Sequence, residues 1–221
     1  MLKNSIKSFF FLMMATSQLS LFADNPPGYQ RPKGGYMGFT MNYSEIDKQN
    51  GFVIGGRGGV YLTDKIIVGL GGYAILNQYS TKPEISDPTI NSYNTEGGYF
   101  GGIGEYNFSV NSNLSINIPV FLGFGGVYMN RDFNNLLAQW ETEVIDEDMF
   151  GISLVGLEME LLKNKYMRVN LGIYYRYTFG VELKGEDFSK NKVTVLNSKD
   201  LNGFELGITF KLGQFVQNNK F

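Results

Sequence analysis

The chain has 221 residues, with 19 Lys and Arg against 21 Asp and Glu, a formal net charge of −2, 28 glycines and 15% aromatic residues. It contains no cysteine and no histidine. That excludes a disulfide framework, a lipid anchor on cysteine, Ser-His-Asp or Cys-His catalysis and the usual histidine metal sites. So mild a charge also argues against a nucleic-acid partner.

Residues 1–23 read as a secretory signal peptide. Lys3 and Lys7 give a positive start, Phe9 to Ala15 a short apolar core, and Leu21-Phe22-Ala23 a small residue before a cut. The apolar run is too short to span a bilayer. No later segment reaches the run of about 18 apolar residues that a transmembrane helix needs. A closed barrel is then the one way left to cross a membrane, because it satisfies every backbone group without water. Residues 24–34 are Pro-rich and aperiodic, and read as a flexible periplasmic arm.

Eight segments with a period of two follow, each a strand with one apolar and one polar or small face. Near 35–45, Met37, Phe39, Met41 and Tyr43 oppose Gly38, Thr40, Asn42 and Ser44. Near 51–63, Phe52, Ile54, Val60 and Leu62 point out, while Gly55, Arg57, Gly59 and Tyr61 point in. Thr63-Asp64-Lys65 is a tight turn. The third segment, near 66–77, is apolar on both faces, so its phase stays open. The fourth, near 95–108, sets Phe100, Tyr106 and Phe108 against Tyr99, Ile103, Glu105 and Asn107.

The fifth, near 114–128, sets Leu114, Ile116, Ile118, Val120, Leu122 and Phe124 against Ser115, Asn117, Pro119, Phe121 and Gly123. Pro119 lacks a ladder donor and predicts a bulge or a local gap in pairing. The sixth, near 149–161, is ambiguous in its first half, and a bulge there would switch its phase. The seventh, near 167–180, sets Val169, Leu171, Ile173, Tyr175 and Tyr177 against Arg168, Asn170, Gly172, Tyr174 and Arg176. The eighth alternates Phe204, Leu206, Ile208, Phe210 and Leu212 with Glu205, Gly207, Thr209 and Lys211. Short turns at 63–65, 109–113 and 162–166 alternate with longer connections near 78–94, 129–148 and 181–201, and a shorter one near 45–50.

The order polar-x-Gly-x-x-aromatic-x-apolar at Glu205, Gly207, Phe210 and Leu212 resembles the carboxy-terminal assembly signal of bacterial outer-membrane β-barrels. With the strand count, the alternating loop lengths and the turn entry Tyr61-Leu62-Thr63-Asp64, the chain resembles the small eight-stranded OmpA/OmpX-type barrels over residues 35–213. The resemblance implies an all-β, eight-stranded antiparallel up-and-down transmembrane barrel. It implies insertion into the outer membrane by the barrel-assembly machinery, after export, with outer-membrane lipids as surroundings and a monomeric state. Residues 214–221 are expected to be a short tail, leaving no room for a peptidoglycan-binding domain.

If the polar faces point inward, the lumen holds four acids, Glu105, Glu158, Glu160 and Glu205, and four bases, Arg57, Arg168, Arg176 and Lys211. An eight-stranded barrel is just wide enough for side chains to fill, so these are expected to pair and hold the wall. Glu160 is expected roughly opposite Arg168, and Arg176 opposite Glu205. A proton or ion path is the sharper alternative. Residues Glu158 and Glu160 read as wall lining rather than a glycosidase dyad. Gly55-Gly56-Arg57-Gly58-Gly59 lacks the Lys-Ser/Thr of a phosphate loop.

Connection 129–148 carries the single tryptophan and an acidic cluster. It is expected to be a solvated loop whose Arg131, Phe133, Trp140, Glu141 and Glu143 are candidates for an unknown extracellular partner. Connection 181–201 mixes Lys184, Lys190, Lys192 and Lys199 with Glu182, Glu186, Asp187 and Asp200. It reads as solvated, with lipopolysaccharide contact open to it. The functional expectation is a non-enzymatic outer-membrane protein without cofactor, in adhesion or envelope integrity. A narrow porin is the first alternative, and a secreted soluble ligand-binding barrel the second.

Overall fold

A computed structural model describes residues 34–46, 49–77, 90–110, 114–133, 142–186 and 192–215. The predicted signal peptide, and all but the last residue of the predicted arm, lie outside the described residues. Among the described residues ten strands form in chain order: β1 Gly35–Ile46, β2 Gln49–Tyr61, β3 Ile66–Asn77, β4 Ile90–Ser109, β5 Ser115–Phe133, β6 Thr142–Lys163, β7 Met167–Phe179, β8 Glu182–Glu186, β9 Lys192–Asn197 and β10 Gly203–Gln214. One short helix, α1 Ser198–Leu201, stands between β9 and β10.

Eight of these strands close into an antiparallel barrel in the order β1-β10-β7-β6-β5-β4-β3-β2, and β8 and β9 pair only with each other. Closure is made by β1 and β10, which run in register from Gly35↔Gln214 to Ser44↔Glu205. A closed ladder leaves no strand edge, and no helix among the described residues is long and apolar enough to cross a membrane.

The alternation places apolar side chains outside. Met37, Phe39 and Met41 of β1, and Leu206, Phe210 and Leu212 of β10, are exposed on the outer wall. Leu122 and Phe124 of β5 are 63% and 61% exposed. A continuous apolar wall of this kind is unfavourable in water and suits a lipid surround. Inward positions on the same strands are buried and polar: Thr40, Asn42 and Ser44 on β1, Asn117 on β5, Thr209 on β10.

The two open phases are now fixed. On β3, Ile67 and Ile75 are buried while Ile66, Val68, Leu70 and Leu76 are exposed. On β6, Phe150, Ile152, Leu154, Glu158 and Glu160 all point inward in one unbroken phase. No switch occurs from Phe150 to Glu160; the register shifts flank that stretch, between Val144 and Asp146 opposite Met129/Asn130, and at Glu160/Leu162. Pro119 produces a gap: the β5–β6 ladder passes from Asn117↔Glu158 to Val120↔Val155 without a change of register. Val169 keeps its outward phase on β7 but is only 7% exposed, beside the bulge at Glu160/Leu162.

Local hydrogen bonds make the short turns. Thr63 Oγ1 accepts from the backbone N–H of Lys65 at 3.2 Å and of Ile66 at 3.0 Å. Asn164 Oδ1 does the same for Tyr166 at 2.8 Å and Met167 at 3.3 Å. These side chains imitate a backbone turn.

Three expectations about the connections are corrected. Residues 129–148 are not one loop: β5 continues to Phe133 and β6 begins at Thr142, paired as Asp132↔Thr142. Likewise β4 begins at Ile90, inside the expected 78–94 connection. Strands β4, β5 and β6, of 20, 19 and 22 residues, therefore outrun the 12 or 13 of β1, β2, β3 and β7. Only ~9–11 tilted residues are needed to cross the hydrocarbon, so the three project beyond it at the long-connection end. Third, residues 181–201 are not a solvated loop. Residues 182–186 and 192–197 pair as the β8–β9 hairpin and 198–201 form α1, with Val181, Leu183, Leu196 and Leu201 buried.

The tail also begins later than expected. Gln214 belongs to β10, and Phe215 is buried at the short-turn end with Tyr36, Tyr61 and Ile67. Residues 216–221 lie outside the described residues.

Candidate functional site

The interior is filled in tiers, and each tier follows from what the inward positions of the strands carry. At the short-turn end, the Phe215 ring stacks against Tyr36 with centroids 6.4 Å apart, and the Arg168 guanidinium lies 4.1 Å over the Phe215 ring. Aromatic faces attract cations, so the stopper is tied to the charges behind it.

Above it sit six of the eight predicted lumen charges. Glu105 on β4 lies 2.8 Å from the Lys211 ammonium and 3.4 Å from Arg57 Nε, and it also accepts from the Tyr36 hydroxyl. Glu158 on β6 pairs with Arg57 and, at 3.4 Å, with Lys211. It accepts from Asn170 Nδ2 at 2.6 Å and from the Tyr174 hydroxyl at 2.8 Å. Arg168 and Glu160 pair at 3.0 Å. All six are buried. Charges taken out of water are tolerated only when paired and hydrogen-bonded, and among the described residues every one of them has an ion-pair partner.

The remaining two, Arg176 and Glu205, pair at 2.5 Å nearer the other end. Each nitrogen of Arg176 donates: Nε to the Leu201 carbonyl at 2.6 Å, Nη1 to Glu205, and Nη2 to Ser44 Oγ at 3.2 Å. Asn42 Nδ2 donates to the second Glu205 oxygen at 2.5 Å. In the backbone register Arg176 faces Gly203 and Glu205 faces Tyr174, and Glu160 faces Asn170 rather than Arg168. Both pairs are therefore diagonal across the strands, a spacing long side chains bridge.

Tyr174 needs small neighbours. A Cβ at Gly156, directly across on β6, or at Gly172, two residues back, would collide with its ring or hydroxyl. The two glycines let this ring lie against the wall and reach Glu158.

The third tier is apolar. Ile46, Val53, Ile75, Val127, Met129, Phe150, Ile152 and Leu154 line the interior toward the long connections. Its floor is an aromatic triad, Tyr73, Tyr99 and Phe121, with centroid distances of 5.0, 5.6 and 5.5 Å. The hairpin closes it from outside with Val181, Leu183, Leu196 and Leu201. The acidic stretch of β6 contributes here. Asp148 accepts from the Glu182 backbone N–H at 2.8 Å, and Asp146 from that of Lys184 at 2.7 Å. Two acids expected to be solvated instead cover the edge of β8. On the exposed side of the hairpin, the Thr194 hydroxyl and the Lys184 ammonium hold the Glu182 carboxyl below its usual range.

The other sequence candidates disperse. Arg131 and Phe133 fall on β5 and Glu143 on β6, where Arg131 and Glu143 are backbone partners. Trp140 and Glu141 lie outside the described residues. In the assembly pattern, Glu205 is buried, Gly207 packs against Asn42, and Phe210 and Leu212 are on the outer wall. The apolar tier and its hairpin were missed. The signal was present in Val181 and Leu183, apolar positions alternating with Glu182 and Lys184, and in the apolar Val193, Val195 and Leu196, in strands too short to stand out.

No protein-family model matches the chain, and no curated protein matches it by sequence. Among solved structures it is similar to a major outer membrane protein of Thermus thermophilus, with 8% identity over 81% of this chain and 99% of that one and a TM-score of 0.53. It is also similar to Neisserial surface protein A, with 12% identity, 81% and 95% coverage and a TM-score of 0.50. At such identities the likeness is one of fold. The chain has the fold of the small eight-stranded outer-membrane β-barrels.

Proposed function

We propose that this barrel sits in a bacterial outer membrane as a non-enzymatic, closed-lumen protein with a structural or surface-interaction role. The observation that carries the reading is the pairing of all eight lumen charges between two apolar closures. A barrel so filled serves as a wall and a platform rather than a conduit. Strands β4 to β6 extend beyond the other strands of the barrel at this rim, which suits presentation to a partner in adhesion or envelope integrity. Outer-membrane lipids surround the apolar wall, and the barrel-assembly machinery is the partner during insertion. Export uses a cleaved signal peptide ending at Ala23, and the folded barrel is a monomer.

Two experiments test this. Unboiled and boiled samples should migrate differently on a denaturing gel, because a closed ladder resists detergent; identical migration, or full solubility without detergent, contradicts a membrane barrel. Cells lacking the chain should become sensitive to detergent or lose surface attachment while small-solute uptake stays unchanged. Slowed uptake with an intact envelope would make the narrow porin the better reading.

A further inference from the structure

The apolar tier differs from the rest of the interior in two ways that together point to a ligand. It is closed by a segment that shares no backbone ladder with the barrel: β8 and β9 bond only to each other. The outer half of the hairpin is held to the wall by the carboxylates of Asp146 and Asp148 and by apolar packing. At its base Gly180, at a φ of 91°, takes a backbone conformation that glycine adopts without strain. Segments held by a few exposed bonds open at lower cost than a laddered wall. The second feature is the Tyr99 hydroxyl at the floor of the tier. Tyr99 is 4% exposed, yet its oxygen has no hydrogen-bond partner among the described residues. A buried hydroxyl is nearly always partnered, because leaving it so is costly.

We propose that the apolar tier beneath the hairpin is a binding site for a small, largely apolar molecule carrying one neutral hydrogen-bonding group. Its apolar part replaces Leu183 and Leu196 against Val53, Ile75, Phe150 and Ile152, and its polar group bonds the Tyr99 hydroxyl. The group is neutral because the neighbouring charges, Arg176 and Glu205, already saturate each other, and an added charge would be buried without a counterion. The hairpin is the lid, hinged at Gly180 and latched by Asp146 and Asp148. This goes beyond the wall-and-platform reading without requiring a channel, since the ion-paired tiers lie below the floor.

A diazirine-bearing aliphatic alcohol, photolysed with the full chain in lipid nanodiscs, tests the site, with adducts mapped by mass spectrometry. Saturable adducts are expected on inward residues such as Val53, Phe150 and Ile152, displaced by octan-1-ol about tenfold better than by octane, the ratio one hydrogen bond supplies. In Tyr99→Phe that preference should vanish. In the double variant Asp146→Asn, Asp148→Asn, inward labelling should rise several-fold. The heat-dependent gel shift of each variant separates a lost barrel from a lost site. Adducts confined to outward residues such as Leu122 and Phe124, in both the unmutated chain and the latch variant, would overturn the proposal. So would inward adducts with no preference for the alcohol in the unmutated chain, a result that needs no substitution to read.

Discussion

The two halves of the lumen solve one packing problem with opposite chemistry. Toward the short turns, the interior between the strands is filled by Arg57, Glu105, Glu158, Glu160, Arg168 and Lys211, cross-linked by ion pairs and side-chain hydrogen bonds. Toward the long connections it is filled by aliphatic and aromatic side chains and closed by a hairpin that carries more of them. The first filling is specific and intolerant, because each member neutralises another. The second is non-directional and depends on volume. The difference teaches that an inward-facing position need not be polar in a membrane barrel; it must be satisfied, and Arg176 marks the boundary by serving both tiers.

The largest effect should come from breaking the charged half. Arg57→Ala leaves Glu105 and Glu158 to share Lys211 alone and should cost about 3–5 kcal/mol in urea unfolding from lipid vesicles, as lone buried charges do. Adding Glu158→Ala should recover part of that loss, because the uncompensated charge is the costly state. A double variant worse than the single would show that Arg57 and Glu158 are not coupled.

The apolar half should respond differently. Leu196→Ala should cost about 3 kcal/mol of hairpin docking through the cavity it leaves, read as faster amide exchange in β8 and β9 with the barrel ladder unchanged. Equal acceleration in β10 would show that lid and wall open together. A smaller change, Tyr174→Phe, removes one of four partners of Glu158 and should cost about 1.5 kcal/mol. A loss as large as that of Arg57→Ala would mean that the hydroxyl, rather than the guanidinium, governs the network.

The smallest effect is on the lid surface. Glu182 titrates below the ordinary carboxylate range because it accepts from Thr194 and faces Lys184. Its contribution is therefore present at neutral pH, and it is lost as pH falls through the lowered value in the folded state. The group is exposed, so the effect is slight. Amide protection in the hairpin should fall on acidification, and Glu182→Gln should flatten that response; an unchanged profile would place the acid sensitivity elsewhere.

Most of the wall was legible because its two faces meet different surroundings. Leu114 to Phe124 and Phe204 to Leu212 alternate cleanly, with lipid-facing chains on one side and lumen polars on the other. The same rule hid what it did not cover. Ile67 and Ile75 are inward yet apolar, so β3 showed no contrast between its faces. Phe150, Ile152 and Leu154 are inward and apolar for the same reason, since they pack under the lid. Beyond the bilayer neither face must be apolar, which is why Thr142 to Asp148 read as a loop when they are strand. Phe215 follows the assembly pattern and was counted with the tail, although its ring closes the short-turn end. The pairing of Arg176 with Glu205 depended on register across a connection of uncertain length, and alternation gave their shared face but not their diagonal offset.

The claim that both halves are closed is tested most directly by planar-bilayer recording of the unmutated, heat-modifiable protein. A lumen stopped by Phe215, filled by paired charges and capped by the hairpin predicts a baseline free of stable single-channel steps across the usual range of voltage. Large, stable and reproducible steps from the same preparation would contradict a closed lumen.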